Sequence, residues 1–213
     1  MDGARRRIPL GFLSLTGALV VSVLSGCAAI GVSDDNVSAT DGPLDLSLAS
    51  GGNGLYPPGV KGDWHGTFGG FRLCLTEPGT ATLTRVEFLG QRDPNDEVRA
   101  VVRRVSKAAA EAGATPVFSE VGTPEDEFGS QPGQSIEPLK GAEIADVCKN
   151  PPDVTAGFSE LMTVLFADAD GNSIDAVRLS YTFNDESYLT TTRWENFVCD
   201  RARKNEQCSP NET

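Results

Sequence analysis

Histidine is almost missing from this chain. His65, beside Trp64 in a glycine-rich stretch, is the single one among 213 residues. That scarcity leaves one candidate at most for a histidine-dependent triad, a histidine-rich metal site or an imidazole general base. The five cysteines include no Cys-x-x-Cys and are widely spaced, which argues against a zinc site. Positive charge is also scarce. The 18 Lys and Arg face 30 Asp and Glu for a formal net charge of −12, which argues against nucleic acid or an anionic membrane surface as a partner. No internal repeat is visible, and the sequence implies no cofactor. The uncharged apolar run from Ile8 to Val23 is sixteen residues, short of the ~20 that a helix needs to span a bilayer.

What that run does fit is export. Arg5, Arg6 and Arg7 precede it, and it ends at Leu24-Ser25-Gly26-Cys27. Basic start, apolar stretch and small-residue cleavage site are the three parts of a secretory signal. The Leu-Ser-Gly-Cys string resembles the lipobox of a bacterial lipoprotein signal peptide. The resemblance implies cleavage after Gly26, a diacylglyceryl group on the Cys27 thiol, and a membrane-anchored protein at the extracytoplasmic face. Two acyl chains anchor stably where one does not. A signal peptide cut without lipidation is the alternative, and the arginines also hint at the twin-arginine route. Losing residues 1–26, which carry Arg5, Arg6, Arg7 and Asp2 for a net +2, takes the mature chain from −12 to −14.

Residues 27–60 then read as the lipidated cysteine and a disordered tether. Ser, Asp, Asn and Gly dominate the stretch, with Pro43, Pro57 and Pro58 as punctuation; such composition cannot bury enough apolar surface to offset the entropy of ordering. Residues 61–213 are of ordinary size for one domain. Phe71–Leu75 is β-prone and is followed by the Pro78-Gly79 turn signal. Thr80–Leu89 is a second strand, whose apolar parity slips between Leu83 and Val86 and so predicts a bulge. Glu160–Ala167 is strongly apolar. Val177, Leu179, Tyr181 and Phe183 alternate with Arg178, Ser180 and Thr182, the period of a half-buried strand. Asn184–Ser187 turns the chain into Tyr188–Val198. The last three strands read as a meander, and the whole as an all-β, immunoglobulin-like antiparallel β-sandwich. Over 94–112, Val98, Val101, Val102, Val105, Ala108, Ala109 and Ala112 recur at helical spacing, with Asp93 as N-cap, Pro94 as first residue and Gly113 as stop.

Cys74–Val86, Ile144-Ala145-Asp146-Val147-Cys148, Tyr181-Thr182-Phe183 and Cys199 resemble a group of small secreted and lipid-anchored actinobacterial proteins without assigned activity. The resemblance implies a strand over Val98–Val105, against the helical spacing, and brings no catalytic residues. We take the strand, with one short helix near 94–112 as the alternative.

With Cys27 lipidated, Cys74, Cys148, Cys199 and Cys208 make an even set, read as two disulfides with three possible pairings. Cys74–Cys148 with Cys199–Cys208 is favoured over a Cys74–Cys199 staple through the core. Asp168, Asp170 and Asn172 alternate like the start of a calcium loop, yet Ser173 and Leu179 stand where an EF-hand needs Gly and Glu. A hairpin turn is the simpler account of them. Arg99, Arg103, Arg104 and Lys107 form a basic cluster, a candidate patch for an anionic ligand beside the plainer reading of a solvated face. No catalytic set emerges. The expectation is a non-enzymatic binding or accessory module for a protein or cell-envelope ligand, with a carboxylate-dependent hydrolase of cell-envelope polymers as the alternative.

Overall fold

The computed structural model describes residues 39–40, 42–46, 51–56, 63–92, 97–150, 152–153, 155–167 and 171–199. Cys27, Asp168, Asp170 and Cys208 lie outside them, so the lipidation reading and two of the three calcium candidates concern residues that are not described. Two six-stranded sheets face each other in an all-β sandwich. The first runs β1 (Ala39–Thr40), β12 (Glu186–Val198), β11 (Asn172–Phe183), β5 (Ala81–Leu89), β9 (Glu143–Ile144), with β3 (Gly51–Leu55) parallel to β12. The second runs β2 (Leu44–Leu46), β4 (Trp64–Leu75), β10 (Phe158–Ala167), β6 (Val98–Val105), β8 (Gln134–Pro138), with β7 (Ser119–Val121) beside β4.

The period-2 pattern of β11 is real: Val177, Leu179, Tyr181 and Phe183 are buried while the residues between them are half-buried. Its hairpin to β12 closes on Asn184 and Asp185, at φ 51° and 64°, with Phe183 opposite Glu186. Two successive left-handed residues are what a two-residue turn matched to strand twist requires. In β5, Leu83 lies opposite Tyr181 and Arg85 opposite Ser180, so Thr84 is the extra residue where the apolar parity slips.

The expected meander is corrected. β10 pairs with β4 and β6 in the second sheet, not with β11. Its uninterrupted apolar character comes from burial on both faces. Leu161 and Leu165 point into the sandwich, whereas Phe158 and Met162 meet an outer cover formed by the chain after β6.

That cover also resolves the 94–112 segment. Val98–Val105 is a strand, and the helix α1 is confined to Lys107–Glu111. Helix-like spacing in β6 arises because Val102 faces the inner core while Val101 and Val105 face the cover. The Ser106 hydroxyl accepts from Ala109 N–H as N-cap. Gly113 ends the helix at φ 103°, where Gly113 N–H donates to Ala110 O and Ala114 N–H to Ala109 O, the paired closure of a Schellman motif. A second helix, α2 (Pro124–Phe128), places Phe128 against Val101 and Met162.

The tether reading is corrected as well. Leu44 and Leu46 are buried to 0% and 4% exposure and pair with Leu75 and Leu73. β3 looked like linker because it is Gly51-Gly52-Asn53-Gly54-Leu55. The glycines are what the site needs: a Cβ on Gly54 would lie 2.2 Å from the Phe197 ring, and one on Gly51 would lie 2.8 Å from Trp194. Removing packed atoms at Leu44 leaves a cavity as well as losing transfer energy. Leu44→Ala is expected to cost about 2–3 kcal/mol, read as a melting point roughly 5–10 °C lower. An unchanged melting point would return residues 44–46 to the tether.

Candidate functional site

Each member of the basic cluster, Arg99, Arg103, Arg104 and Lys107, meets a carboxylate, so none of the four is an unopposed charge. Arg99 forks onto Glu125 with two bonds of 2.7 Å. Hydrogen bonding to Arg99 holds the Glu125 carboxyl below its ordinary range, and the same bond raises the Arg99 guanidinium. Arg104 bonds Glu137, the Ser159 hydroxyl at 2.6 Å and the Glu143 carbonyl. Lys107 reaches Glu111 one turn on, at 3.6 Å and exposed. The fourth member is different in kind.

Arg103 and Glu160 sit opposite each other on β6 and β10, exposed by 2% and 0%, with Nη1 to Oε2 at 2.8 Å. Glu160 Oε1 accepts from Gly70 N–H at 2.6 Å and Val117 N–H at 2.8 Å. Arg103 donates to Gln134 Oε1 and Thr115 O and lies 4.4 Å over the Phe128 ring. The β4 bulge at Gly69-Gly70 makes room for the carboxylate. A Cβ on Gly69 would lie 2.6 Å from Val117 O and 2.8 Å from Glu160 Oε1. Burial pushes the Glu160 carboxyl up, against the pull of the two N–H groups and Arg103. The pair clamps the cover; it is too deeply enclosed to meet a ligand.

Among the described residues, no nucleophile is hydrogen-bonded to a histidine base. His65 stacks edge-on against Phe166 at 5.5 Å, and no acid or hydroxyl among the described residues bonds its ring. Asp175 and Glu195 form a carboxylate pair at the β12 bulge; burial raises the Glu195 carboxyl, and repulsion from Asp175 adds to it. Neither lines any of the cavities below. Asn172 is buried and donates to Phe166 O at 3.1 Å, while its Oδ1 is buried without a hydrogen-bond partner among the described residues.

A concave feature with largely apolar walls lies at one open edge of the sandwich. β9 pairs only with Ala81 and Thr82, and β8 only with Val101–Val105. Beyond those short strands, Arg85–Leu89 of β5 and Val98–Ala100 of β6 have no outer neighbour among the described residues. The inner face of the sandwich therefore opens as a groove of about 660 Å³, walled by Val86, Phe88, Val98, Ala100 and Leu139. Arg85, Arg99 and Lys140 stand at its rim with Glu125 and Glu137. Both acids are ion-paired, while Lys140 has no carboxylate partner among the described residues. Apolar walls with a few polar groups suit binding. No nucleophile and base meet there. The sequence showed these side chains only as alternating core positions, and nothing in it marked where β8 and β9 would stop short.

A second cavity of about 440 Å³ lies over the disulfide joining Cys74 and Cys148, lined also by Asp45, Arg72, Asp146 and Lys149. A third, shallower one of about 700 Å³ lies beside Arg104, Lys107, Gln134 and Ser159. Cys199 is also disulfide-bonded. Since Cys74 and Cys148 hold each other, its partner lies outside the described residues.

Breaking a buried ion pair from one side leaves an unpaired charge and costs about 3–5 kcal/mol, whereas replacing both partners with apolar residues costs less. Glu160→Leu and Arg103→Met should each lower the denaturation midpoint sharply. The double variant should be more stable than the sum of the two losses implies. Strict additivity in chemical denaturation would show that the two charges are not coupled. No protein-family model matches the chain, and no curated protein matches it in sequence.

Proposed function

We propose that the chain is a lipid-anchored, immunoglobulin-like binding module at the extracytoplasmic face of the cell membrane, and that its groove takes an amphiphile with an anionic head. The observation that carries the reading is the open edge between β5 and β6, where apolar walls meet Lys140, a cation with no carboxylate partner among the described residues. Export and anchoring are supported by the basic start, the apolar run and Leu24-Ser25-Gly26-Cys27. An anchor on Cys27 leaves eleven residues before β1, which span at most about 40 Å. The sandwich is thereby kept close to the membrane that holds such amphiphiles. The alternative, a carboxylate-dependent hydrolase of envelope polymers, has Asp175 and Glu195 as its candidate pair. Against it, the pair lies on the face of a sheet, outside the cavities that could enclose a polymer.

Two measurements test the proposal. Cys27→Ala should leave the membrane fraction or accumulate as precursor; normal maturation with continued membrane attachment overturns the anchor. In titrations with a fluorescent long-chain fatty acid, Ala100→Phe should weaken binding at least tenfold without lowering the melting point. Lys140→Glu should weaken the acid several-fold and spare its methyl ester. Binding that ignores Ala100→Phe, or no saturable binding at all, overturns the groove.

A further inference from the structure

We infer that Asp45, Cys74 and Cys148 form a redox-gated site for a thiophilic divalent cation of the zinc class. Three neighbouring extended segments build it. Asp45 lies directly opposite Cys74 across β2 and β4, and Cys148 is brought alongside by the parallel bridge between Leu75 and Val147, with Cys148 N–H donating to Leu75 O at 2.8 Å. One carboxylate oxygen and the two sulfurs all lie within 4.8 Å of one another. Wide sequence spacing hid this set, since positions 45, 74 and 148 form no local motif.

The carboxylate is what a merely structural disulfide leaves unexplained. Asp45 is half-buried, and Oδ2 lies 4.0 Å from Cys148 Sγ. A disulfide sulfur carries no proton, so it cannot donate to the oxygen. No other side chain among the described residues donates to Asp45. This half-buried carboxylate thus faces two sulfurs and an open cavity without a side-chain donor of its own among the described residues. Reduction would set two thiols beside that carboxylate, and a cation held by all three donors would then balance their charge. Tetrahedral zinc binds thiolate at about 2.3 Å and carboxylate oxygen at about 2.0–2.2 Å, which sets donors about 3.8 Å apart or less. Asp45 Oδ2 is already 4.0 Å from Cys148 Sγ, and once the disulfide is broken the two sulfurs need only separate to that span. The cavity over it is lined by Arg72, Asp146 and Lys149 and leaves a fourth position open to water or an anionic group.

The disulfide closes the site. A dithiol reductant opens it: the Cys74–Cys148 bond gains two electrons and two protons, and the reductant is oxidised to its own disulfide. The divalent cation then displaces the two thiol protons, and two thiolates with the Asp45 carboxylate hold it. A disulfide oxidant reverses the process: it takes the two electrons and is reduced to its own thiols, the Cys74–Cys148 bond re-forms, and the ion is released. This inference rests on the β2 edge and is independent of the groove.

Cobalt(II) added to the full chain is the test, because thiolate ligation gives a near-ultraviolet charge-transfer band and tetrahedral geometry gives visible bands. The protein reduced with a phosphine should develop both at one equivalent, and the oxidised protein neither. Cys74→Ser and Cys148→Ser should abolish the charge-transfer band, Asp45→Ala should weaken binding by about tenfold or more, and Cys199→Ser should leave it intact. A reduced, folded protein without the bands overturns the inference, as do bands that survive Cys74→Ser or ignore Asp45→Ala. Should reduction alone unfold the chain, zinc must restore its near-ultraviolet circular dichroism, since metal binding and folding are then one equilibrium. Failure to restore it also overturns the site.

Discussion

Arg103 and Glu160 carry opposite charges into the interior of a sheet, and the rest of the second sheet is arranged around that fact. Taking each ion out of water costs several kcal/mol, and their attraction offsets this only when the remaining hydrogen-bonding capacity is satisfied. Here Gly70 and Val117 supply N–H groups to one carboxylate oxygen, while Gln134, Thr115 and the Phe128 ring surround the guanidinium. Those partners come from the β4 bulge, the loop after α1, α2 and β8. One ion pair thereby fixes how the chain from 106 to 138 lies on the sheet. It also explains Gly69-Gly70, since a side chain at Gly69 would enter the space that the carboxylate and Val117 O occupy.

The cover has a consequence at the outer edge of the same sheet. β8 emerges from it already committed to the Val101–Val105 half of β6, where Gln134 reaches Arg103. The other half of β6 is left without a neighbour, and the short β9 does the same for β5. The groove exists because both sheets lose their last strand at one corner. Arg99, on the groove wall, forks onto Glu125 of α2, so the cover also sets one side of the groove mouth. Clamp and groove are thus joined through a few residues of β6.

Legibility in the sequence followed the range of the signal. The β11–β12 hairpin was readable because alternation and a two-residue Asn-Asp turn are local properties. The bulge at Thr84 was readable as a slip in apolar parity. Partnership was not: nothing in Glu160–Ala167 says which sheet it joins, and burial on both faces erased the alternation that marks a half-buried strand. β6 misled for the same reason, its valines serving two cores at spacings that mimic a helix. β3 misled in the opposite way, its glycines being selected by the Trp194 and Phe197 rings of β12 rather than by freedom to move. Glu160 read as the polar start of an apolar run, and its partner lies 57 residues away. The groove and the Asp45 cluster depend on long-range pairing throughout.

Charge then decides what the groove can hold. Most described cations are engaged by carboxylates, Arg85 and Arg178 by Glu87, Arg99 by Glu125, Arg103 by Glu160, Arg104 by Glu137, Lys107 by Glu111 and Lys149 by Asp153. The chain as a whole is at −12, so its distant field repels an anion rather than steering it in. At physiological ionic strength that field is screened beyond about 8 Å. An anionic head is therefore governed by what stands within the groove mouth, where Lys140 lacks a described carboxylate partner. A single exposed cation contributes on the order of 1 kcal/mol or less. The larger share has to come from apolar burial at about 25 cal/mol per Å², against Val86, Phe88, Val98, Ala100 and Leu139. The head group sets the direction of entry, and the apolar chain sets the affinity.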